Sequence, residues 1–218
     1  MAVPTPRRRG LFVVLEGIDG SGKTSNMHVV ADTLFRANHG AQVMLTREPT
    51  MHLRTYISQY QPDSDALCEL FVQDRQNHVD TLIEPLLQSG IHVVCDRYVM
   101  STFAYQFGSM MTWTRIQELH DNYRVTLQPD LVLLFDVRPD QIRDRPGHED
   151  VDGMMHWHAY TNYKQHHAKF GRNVLLIDAS MSKTNVGKHV VNAVQALADT
   201  YYNNQHQYEY QYHYDYKK

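Results

Sequence analysis

Residues 17–24 read GIDGSGKT and match the pattern GxxxxGK[ST]. Glycines let the backbone turn its N–H groups inward, where they surround a phosphate at the positive end of a helix. The Lys23 ammonium reaches the outer phosphates of a nucleoside triphosphate, and the Thr24 hydroxyl binds Mg²⁺. The motif therefore predicts a nucleotide site. Its residues are Gly17, Asp19, Gly20, Ser21, Gly22, Lys23, Thr24 and Ser25.

Other candidate ligands follow predicted strands or lie on a predicted helix. Arg47 follows the second predicted strand, and Asp96 and Arg97 end the third. Guanidinium groups bind two phosphate oxygens at once, so both arginines are candidate anion ligands. Phe71 and Arg75 are four residues apart and therefore share one face of a predicted helix.

Two further groups of polar residues complete the candidate site. Three of them follow Arg97 within eight residues: Ser101, Thr102 and Tyr105. The other three lie in a polar, glycine-containing segment that we interpret as a mobile lid: Arg143, Arg145 and Glu149.

Apolar runs alternate with longer helical patterns along the chain. The predicted strands are 11–15, 42–45, 91–95, 131–135 and 174–177. The predicted helices are 24–38, 65–88 with a kink near Pro85, 113–123, 153–170 and 183–199. Strands that are apolar throughout are buried on both faces. The pattern predicts an α/β fold, a doubly wound five-stranded parallel sheet flanked by helices, in which ligands bind beyond the carboxyl ends of the strands.

Length and composition narrow the class of protein. The 218 residues fit one domain at 11–200, with a disordered lead-in at 1–10 and a tyrosine-rich tail at 201–218 that we expect to be disordered. A net charge of -3 gives no reason to expect a nucleic acid or membrane partner. Two cysteines without metal-type spacing fit a compartment that keeps thiols reduced: the cytoplasm, with the nucleus as the alternative.

Five stretches in this order resemble the thymidylate kinase family. They are VVLEGIDGSGKT, TREP, the LF segment that leads to Arg75, CDRYVMSTFAYQ and QPDLVLLFDV, and the resemblance runs from about Leu11 to Asp199. It implies a phosphate-loop NTPase core and a lid at about 141–153. It also implies ATP- and Mg²⁺-dependent phosphorylation of dTMP to dTDP, and a homodimer.

The resemblance assigns roles to the residues that handle phosphate. Lys23 holds the donor phosphates, Thr24 and Asp96 hold the metal and its waters, and Arg47 and Arg97 grip the acceptor phosphate. Some family members carry an arginine in the phosphate loop where this chain has Gly20. The resemblance therefore implies that the extra positive charge comes from the lid, with Arg143 and Arg145 as the candidates.

The resemblance also assigns the nucleoside contacts. Asp19 contacts the sugar 3′-hydroxyl, Phe71 stacks on the thymine, Arg75 bonds a base carbonyl, Thr102 faces the base edge, and Tyr105 crowds the 2′ position. The whole set expected to contact the acceptor is Asp19, Arg47, Phe71, Arg75, Arg97, Ser101, Thr102, Tyr105 and Glu149.

Two departures from the family pattern leave alternatives open. The loop after TREP is shortened, and the lid lacks the aromatic residue and one arginine of the usual run, although Glu149 keeps an acidic position. A broad deoxynucleotide or deoxynucleoside kinase is therefore the first alternative. A nucleotide-binding protein with weakened catalysis is the second.

Overall fold

In a computed structural model, five parallel strands form one sheet in the order β2-β3-β1-β4-β5. The structure describes residues 9–37, 40–60, 64–108, 111–143 and 153–215. The strands are β1 (Phe12–Glu16), β2 (Val43–Arg47), β3 (His92–Asp96), β4 (Leu131–Asp136) and β5 (Val174–Asp178). The predicted five-stranded parallel sheet is confirmed, and each strand begins and ends within two residues of its predicted bounds.

The central strand β1 determines where the site lies. All five of its residues are buried, and it pairs with β3 on one side and β4 on the other. The chain fills the β3 side of the sheet first and the β4 side afterwards, and ligands of such sheets bind where the direction changes. Leu15 of β1 pairs with Asp96 of β3, so the loop after β1 lies beside the residues that follow β3.

Helices cover both faces of the sheet. They are α1 (Lys23–Ala37), α2 (Met51–Tyr60), α3 (Ser64–His78), α4 (Glu84–Gln88), α5 (Val99–Gln106), α6 (Trp113–Asn122), α7 (Pro139–Arg143), α8 (Met154–His166) and α9 (Lys183–Asp215). The sequence does not predict α2, α5 or α7. Helix α5 has eight residues, six of them buried, so its polar and apolar residues follow no helical period.

The predicted long helix with a kink near Pro85 divides into three pieces. A π-helical turn at Val79–Ile83 separates α3 from α4, and Pro85 lies in the first turn of α4. Proline has no N–H to donate to the preceding turn. The Glu84 N–H donates instead to the Val79 carbonyl five residues back, which is the bond that widens the turn.

The tyrosine-rich C-terminal segment lies on the last helix of the chain. Helix α9 continues through it to Asp215. Tyr201 donates a hydrogen bond of 3.0 Å to the Arg9 carbonyl, and the Tyr202 hydroxyl lies 2.8 Å from His92 Nε2. The two tyrosines therefore attach the helix to the sheet, contacts that the polar-aromatic pattern of the tail does not reveal. Within the described residues, no helix has the length and apolar content needed to span a bilayer.

His92 is a buried histidine at the amino end of β3. It is 2% exposed, and its Nδ1 accepts a hydrogen bond of 2.8 Å from the Leu11 N–H. Because Nδ1 is the acceptor, Nε2 carries the proton and donates to Tyr202. Burial lowers the pKa of His92 to about 4.

We predict that His92 makes the fold sensitive to acid. Between pH 6.5 and 4 the unfolded chain binds the proton that the folded chain excludes, so stability falls as the pH falls through this window. Lowering the pH from 7 to 5 should cost about 2 kcal/mol at this residue. Urea unfolding at both pH values measures it.

The matched variants are His92→Asn and His28→Asn. The asparagine oxygen at position 92 can still accept from Leu11 but does not titrate, so the loss between pH 7 and 5 should shrink by about 2 kcal/mol. His28 is exposed on α1, and its replacement should leave the pH dependence as in the native chain. Equal acid sensitivity in the native chain and His92→Asn would contradict the assignment.

Candidate active site

The glycine loop joins β1 to α1. Gly17 has φ 140°, and a Cβ atom there would lie 2.8 Å from the Phe135 carbonyl, so both conformation and space require glycine. Lys23 Nζ donates to the carbonyls of Gly17 and Ile18 at 2.9 and 2.8 Å. Burial, assisted by the positive charge of Arg97, lowers the pKa of Lys23 to about 7.

Asp96 and Thr24 form an oxygen-rich corner beside this loop. The Thr24 hydroxyl donates to Asp96 Oδ2 at 3.2 Å, and Arg47 Nη2 lies 3.7 Å from the same oxygen. Asp96 Oδ1 is buried and has no hydrogen-bond partner among the described residues. A hydroxyl and a carboxylate with an unused oxygen fit a hard cation such as Mg²⁺.

Arg97 connects this corner to the glycine loop. Its backbone has φ 74°, a conformation that costs a residue with a side chain about 1–2 kcal/mol. Its Nη2 donates to Asp19 Oδ1 at 2.7 Å and to the Tyr105 hydroxyl at 3.2 Å. Partial burial opposes ionisation of Asp19, but the charges of Arg97 and Lys23 outweigh it and lower the pKa of Asp19.

A cavity of about 830 Å³ opens beside Arg97. It contains all the described residues that the sequence assigns to the acceptor: Asp19, Arg47, Phe71, Arg75, Arg97, Ser101, Thr102 and Tyr105. The apolar side of its wall includes Ile57, Leu67, Met154 and Met155. A pocket of this size with a few converging charged groups is typical of a nucleotide or drug-sized ligand.

Arg54 is a candidate ligand that sequence reasoning missed. It lines the same cavity, and its Nε and Nη2 donate to the carbonyls of Pro49 and Glu48 at 2.9 and 3.3 Å. Burial and the neighbouring charges of Arg47 and Arg97 lower the pKa of Arg54. The one signal in the sequence is that Arg54 lies seven residues after Arg47. This spacing becomes informative only when α2 is known to place Arg54 in the same cavity.

Arg75 lies at the floor of the cavity and is 3% exposed. Its Nε donates to Glu48 Oε2 at 2.7 Å, and its Nη1 donates to Thr102 Oγ1 at 3.0 Å and to His120 Nε2 at 2.9 Å. Nη2 donates to the Tyr98 carbonyl at 3.0 Å. These contacts fix the guanidinium plane and use four of its five N–H groups.

His120 is held neutral by this arrangement. Its Nδ1 donates to the Ile116 carbonyl at 2.8 Å, so Nε2 is the acceptor for Arg75. Burial and the Arg75 charge lower the pKa of His120 to about 4.

Three potential metal ligands, Glu48, His78 and Cys95, come together behind Arg75. Glu48 already binds Arg75, and its Oε1 lies 3.2 Å from His78 Nδ1. Burial raises the pKa of the Cys95 thiol well above its usual value, which disfavours the thiolate that a metal requires. Glu48 and His78 therefore act as a hydrogen-bonded support for Arg75, whereas the Cys95 thiol donates to the Arg97 carbonyl at 3.1 Å.

Parts of the predicted lid lie outside the described residues. Arg145 and Glu149 belong to that part, and of Arg143 only the backbone at the end of α7 is described. Their roles stay predictions.

The comparisons with known proteins all point to the same family. The family model for thymidylate kinase matches residues 15–190, which include every cavity residue named above. A thymidylate kinase of Chromobacterium violaceum is 31% identical over 211 residues, covering 88% of this chain and 97% of that protein. One of a Synechococcus species is 37% identical over 157 residues, covering 66% of this chain and 74% of that protein.

A solved structure supports the same similarity. The crystal structure of thymidylate kinase from Ehrlichia chaffeensis matches with a TM-score of 0.69 at 26% identity. The match covers 85% of this chain and 99% of that chain.

We predict that Glu48 stabilises the fold through Arg75. The Glu48→Ala variant leaves a buried guanidinium without its carboxylate, so we expect a loss of about 3–5 kcal/mol in urea unfolding. In an Arg75→Met background the same change should cost much less, because no buried charge is stranded.

A surface ion pair provides the control. Arg115 and Glu118 lie 3.4 Å apart with both side chains about half exposed, so Glu118→Ala should cost less than about 1 kcal/mol. Additive losses in the double variant at positions 48 and 75 would show that the two side chains act independently.

Proposed function

The chain belongs to the thymidylate kinase family, and on that premise we propose that it transfers the γ-phosphoryl group of ATP to dTMP with the aid of Mg²⁺. Phosphorylation of dTMP is the expected reaction of a member, and the chain is accordingly a kinase of nucleotide biosynthesis. The product is dTDP.

One observation carries this proposal: Arg97 of the cavity bonds Asp19 of the phosphate loop at 2.7 Å. The contact supports a site in which the acceptor cavity and the donor loop share a boundary. Phosphoryl transfer needs this arrangement because the attacking oxygen and the leaving oxygen must lie roughly in line across the transferred group.

The acceptor phosphate is held by guanidinium groups. Arg47, Arg54 and Arg97 line one cavity and come from β2, α2 and the end of β3. Convergence from three elements supports a preformed anion site, since the loss of side-chain freedom is incurred during folding rather than binding. Their charges offset the repulsion between acceptor and donor.

The nucleoside occupies the rest of the cavity. Phe71 stacks on the base, Arg75 directs its remaining N–H to a base carbonyl, and Thr102 lies at the base edge. Asp19 binds the sugar 3′-hydroxyl, and Tyr105 fills the space a 2′-hydroxyl needs. All five residues line the cavity, which supports these roles.

The donor phosphates lie in the loop from Gly17 to Thr24. The loop N–H groups and Lys23 bind the phosphates, and Thr24 and Asp96 would hold Mg²⁺ directly or through water. When bound, Mg²⁺ would supply positive charge that offsets the negative charge developing during transfer. The unused Asp96 Oδ1 supports this assignment.

No general base is required in this reaction. The attacking atom is a phosphate oxygen of dTMP, which is already anionic at neutral pH. The chain's residues therefore act by positioning and charge compensation. Arg143 and Arg145 add positive charge from the lid, and Glu149 contacts the acceptor.

We also propose a cytoplasmic homodimer. Cys68 and Cys95 are both free and buried, which supports a compartment that keeps thiols reduced. The dimer rests on the family alone, and light scattering after size exclusion measures it.

A panel of acceptors tests the function. Purified protein with ATP and Mg²⁺ should release ADP fastest with dTMP, more slowly with dUMP, dGMP or the ribonucleotide form of TMP, and not with thymidine. Turnover of several deoxynucleotides at similar rates would instead identify a broad kinase. Phosphorylation of thymidine identifies a nucleoside kinase, and ATP binding without turnover identifies a nucleotide-binding protein.

We predict that ATP binding weakens as the pH rises above 7. The pKa of Lys23 is about 7 before nucleotide binds, and only the ammonium form attracts the phosphates. Raising the pH from 7 to 8.5 should therefore increase the Kd for ATP by roughly tenfold. Calorimetric titration measures the constant at each pH.

The control is Lys23→Ala. This variant should bind ATP weakly, and its Kd should vary little over the same pH range because the titrating group is gone. It should also lose turnover while it keeps its circular-dichroism spectrum. Strong remaining turnover would refute the assignment of the donor site.

A further inference from the structure

Glu16 is a fully buried carboxylate at the carboxyl end of β1, directly before the phosphate loop. Its Oε1 accepts from the N–H groups of Tyr98 and Ser101 at 2.8 and 3.2 Å. Its Oε2 accepts from the hydroxyls of Ser101 and Tyr163 at 2.6 and 2.9 Å. The proposed reaction gives this group no role, although a buried carboxylate is costly to maintain.

The four partners of Glu16 are all donors, which favours the ionised form. Burial raises the pKa of Glu16 above its usual value, although the hydrogen bond from Ser101 and the charge of Arg97 oppose part of that rise. A protonated carboxyl carries an O–H group that must itself donate, so one of these four donors would have to become an acceptor. The ionised group therefore suits its surroundings best.

Ser101 connects Glu16 to Arg97. The single hydroxyl hydrogen of Ser101 is donated to Glu16, so the oxygen presents a lone pair on its other side. Arg97 Nη1 donates to that oxygen at 3.2 Å, while Nη2 donates to Asp19 and Tyr105. The two ends of the guanidinium group are thus fixed by different partners.

Tyr163 brings a third element into this contact. It lies on α8, the helix that follows the lid segment, and its hydroxyl is also 3.0 Å from Ser101 Oγ. The group links β1, α5 and α8 through side chains that are far apart in the chain. Arg97 needs such support because its backbone has the left-handed conformation.

We propose that Glu16 is a positioning residue that orients Arg97 through Ser101, with Tyr163 tying this alignment to α8. The inference rests on the proposed function, in which Arg97 grips the acceptor phosphate. It gives Ser101 a supporting role in place of direct contact with the acceptor.

Steady-state kinetics of Ser101→Ala tests the proposal. Removing the hydroxyl frees one end of Arg97, so kcat/KM for the acceptor should fall about tenfold or more, while the KM for ATP changes less than twofold. Ser101→Thr keeps the hydroxyl that Arg97 and Glu16 contact and should recover most of the loss. A purely structural role predicts similar losses for both substrates.

Tyr163→Phe gives a second, independent test. Alone, it should lower kcat/KM for the acceptor two- to fivefold, because Glu16 keeps three of its four donors. In the Ser101→Ala background it should change the acceptor kinetics less than twofold, since Glu16 no longer reaches Arg97. Tyr160→Phe, three residues away on α8, is the matched control and should leave both substrates unaffected.

The outcomes separate this inference from the proposed function. The wild-type acceptor panel tests the function, and the variant ratios are then measured with whichever monophosphate the wild type phosphorylates fastest. Unchanged acceptor kinetics in a folded Ser101→Ala protein, or fully additive effects of the two substitutions, would overturn the proposal. If Ser101→Ala does not fold, the comparison of Tyr163→Phe with Tyr160→Phe decides it.

Discussion

Repulsion between like charges governs the design of this site. Two unit charges 4 Å apart repel by about 4 kcal/mol at a protein surface, and both substrates carry several. In the proposed site Lys23, Arg47, Arg54 and Arg97 offset this repulsion, and these four cations would repel one another if they stood alone. Asp19 bonds Arg97, and Asp96 lies near Arg47, so positive and negative groups alternate. The parallel sheet holds this alternation in place because the carboxyl ends of β1, β2 and β3 lie side by side.

The arginines of the site fall into two physical classes. The Arg47 side chain is half exposed, and its Nη2 lies 3.7 Å from Asp96 Oδ2, which is longer than a hydrogen bond. It can therefore adjust its position to a phosphate. Arg75 is 3% exposed and bound by Glu48, Thr102, His120 and a carbonyl. Such a group offers one fixed donor direction. A mobile cation serves charge compensation, whereas a fixed donor serves recognition of one edge of a base.

The sequence predicts features that depend on neighbouring residues and misses those that depend on residues far apart in the chain. Strands show as apolar runs, and the glycine loop is contiguous, so both are visible locally. The role of Arg54 is not recognisable in the sequence, because it depends on α2, a helix that the sequence does not predict. Glu16 reads as the last residue of a strand, and its partner Tyr163 lies 147 residues away. The positions of Tyr201 and Tyr202 likewise depend on distant contacts, with Arg9 and His92.

The bonding of Lys23 to its own loop carries a consequence for selectivity among anions. Its ammonium group already donates two hydrogen bonds, to the carbonyls of Gly17 and Ile18. An incoming anion must replace these neutral oxygens, so an anion with one acceptor group gains less from Lys23 than an anion with several. A chain of phosphates offers several charged oxygens at once. We therefore expect the loop to favour polyphosphates over small anions that carry a single charge.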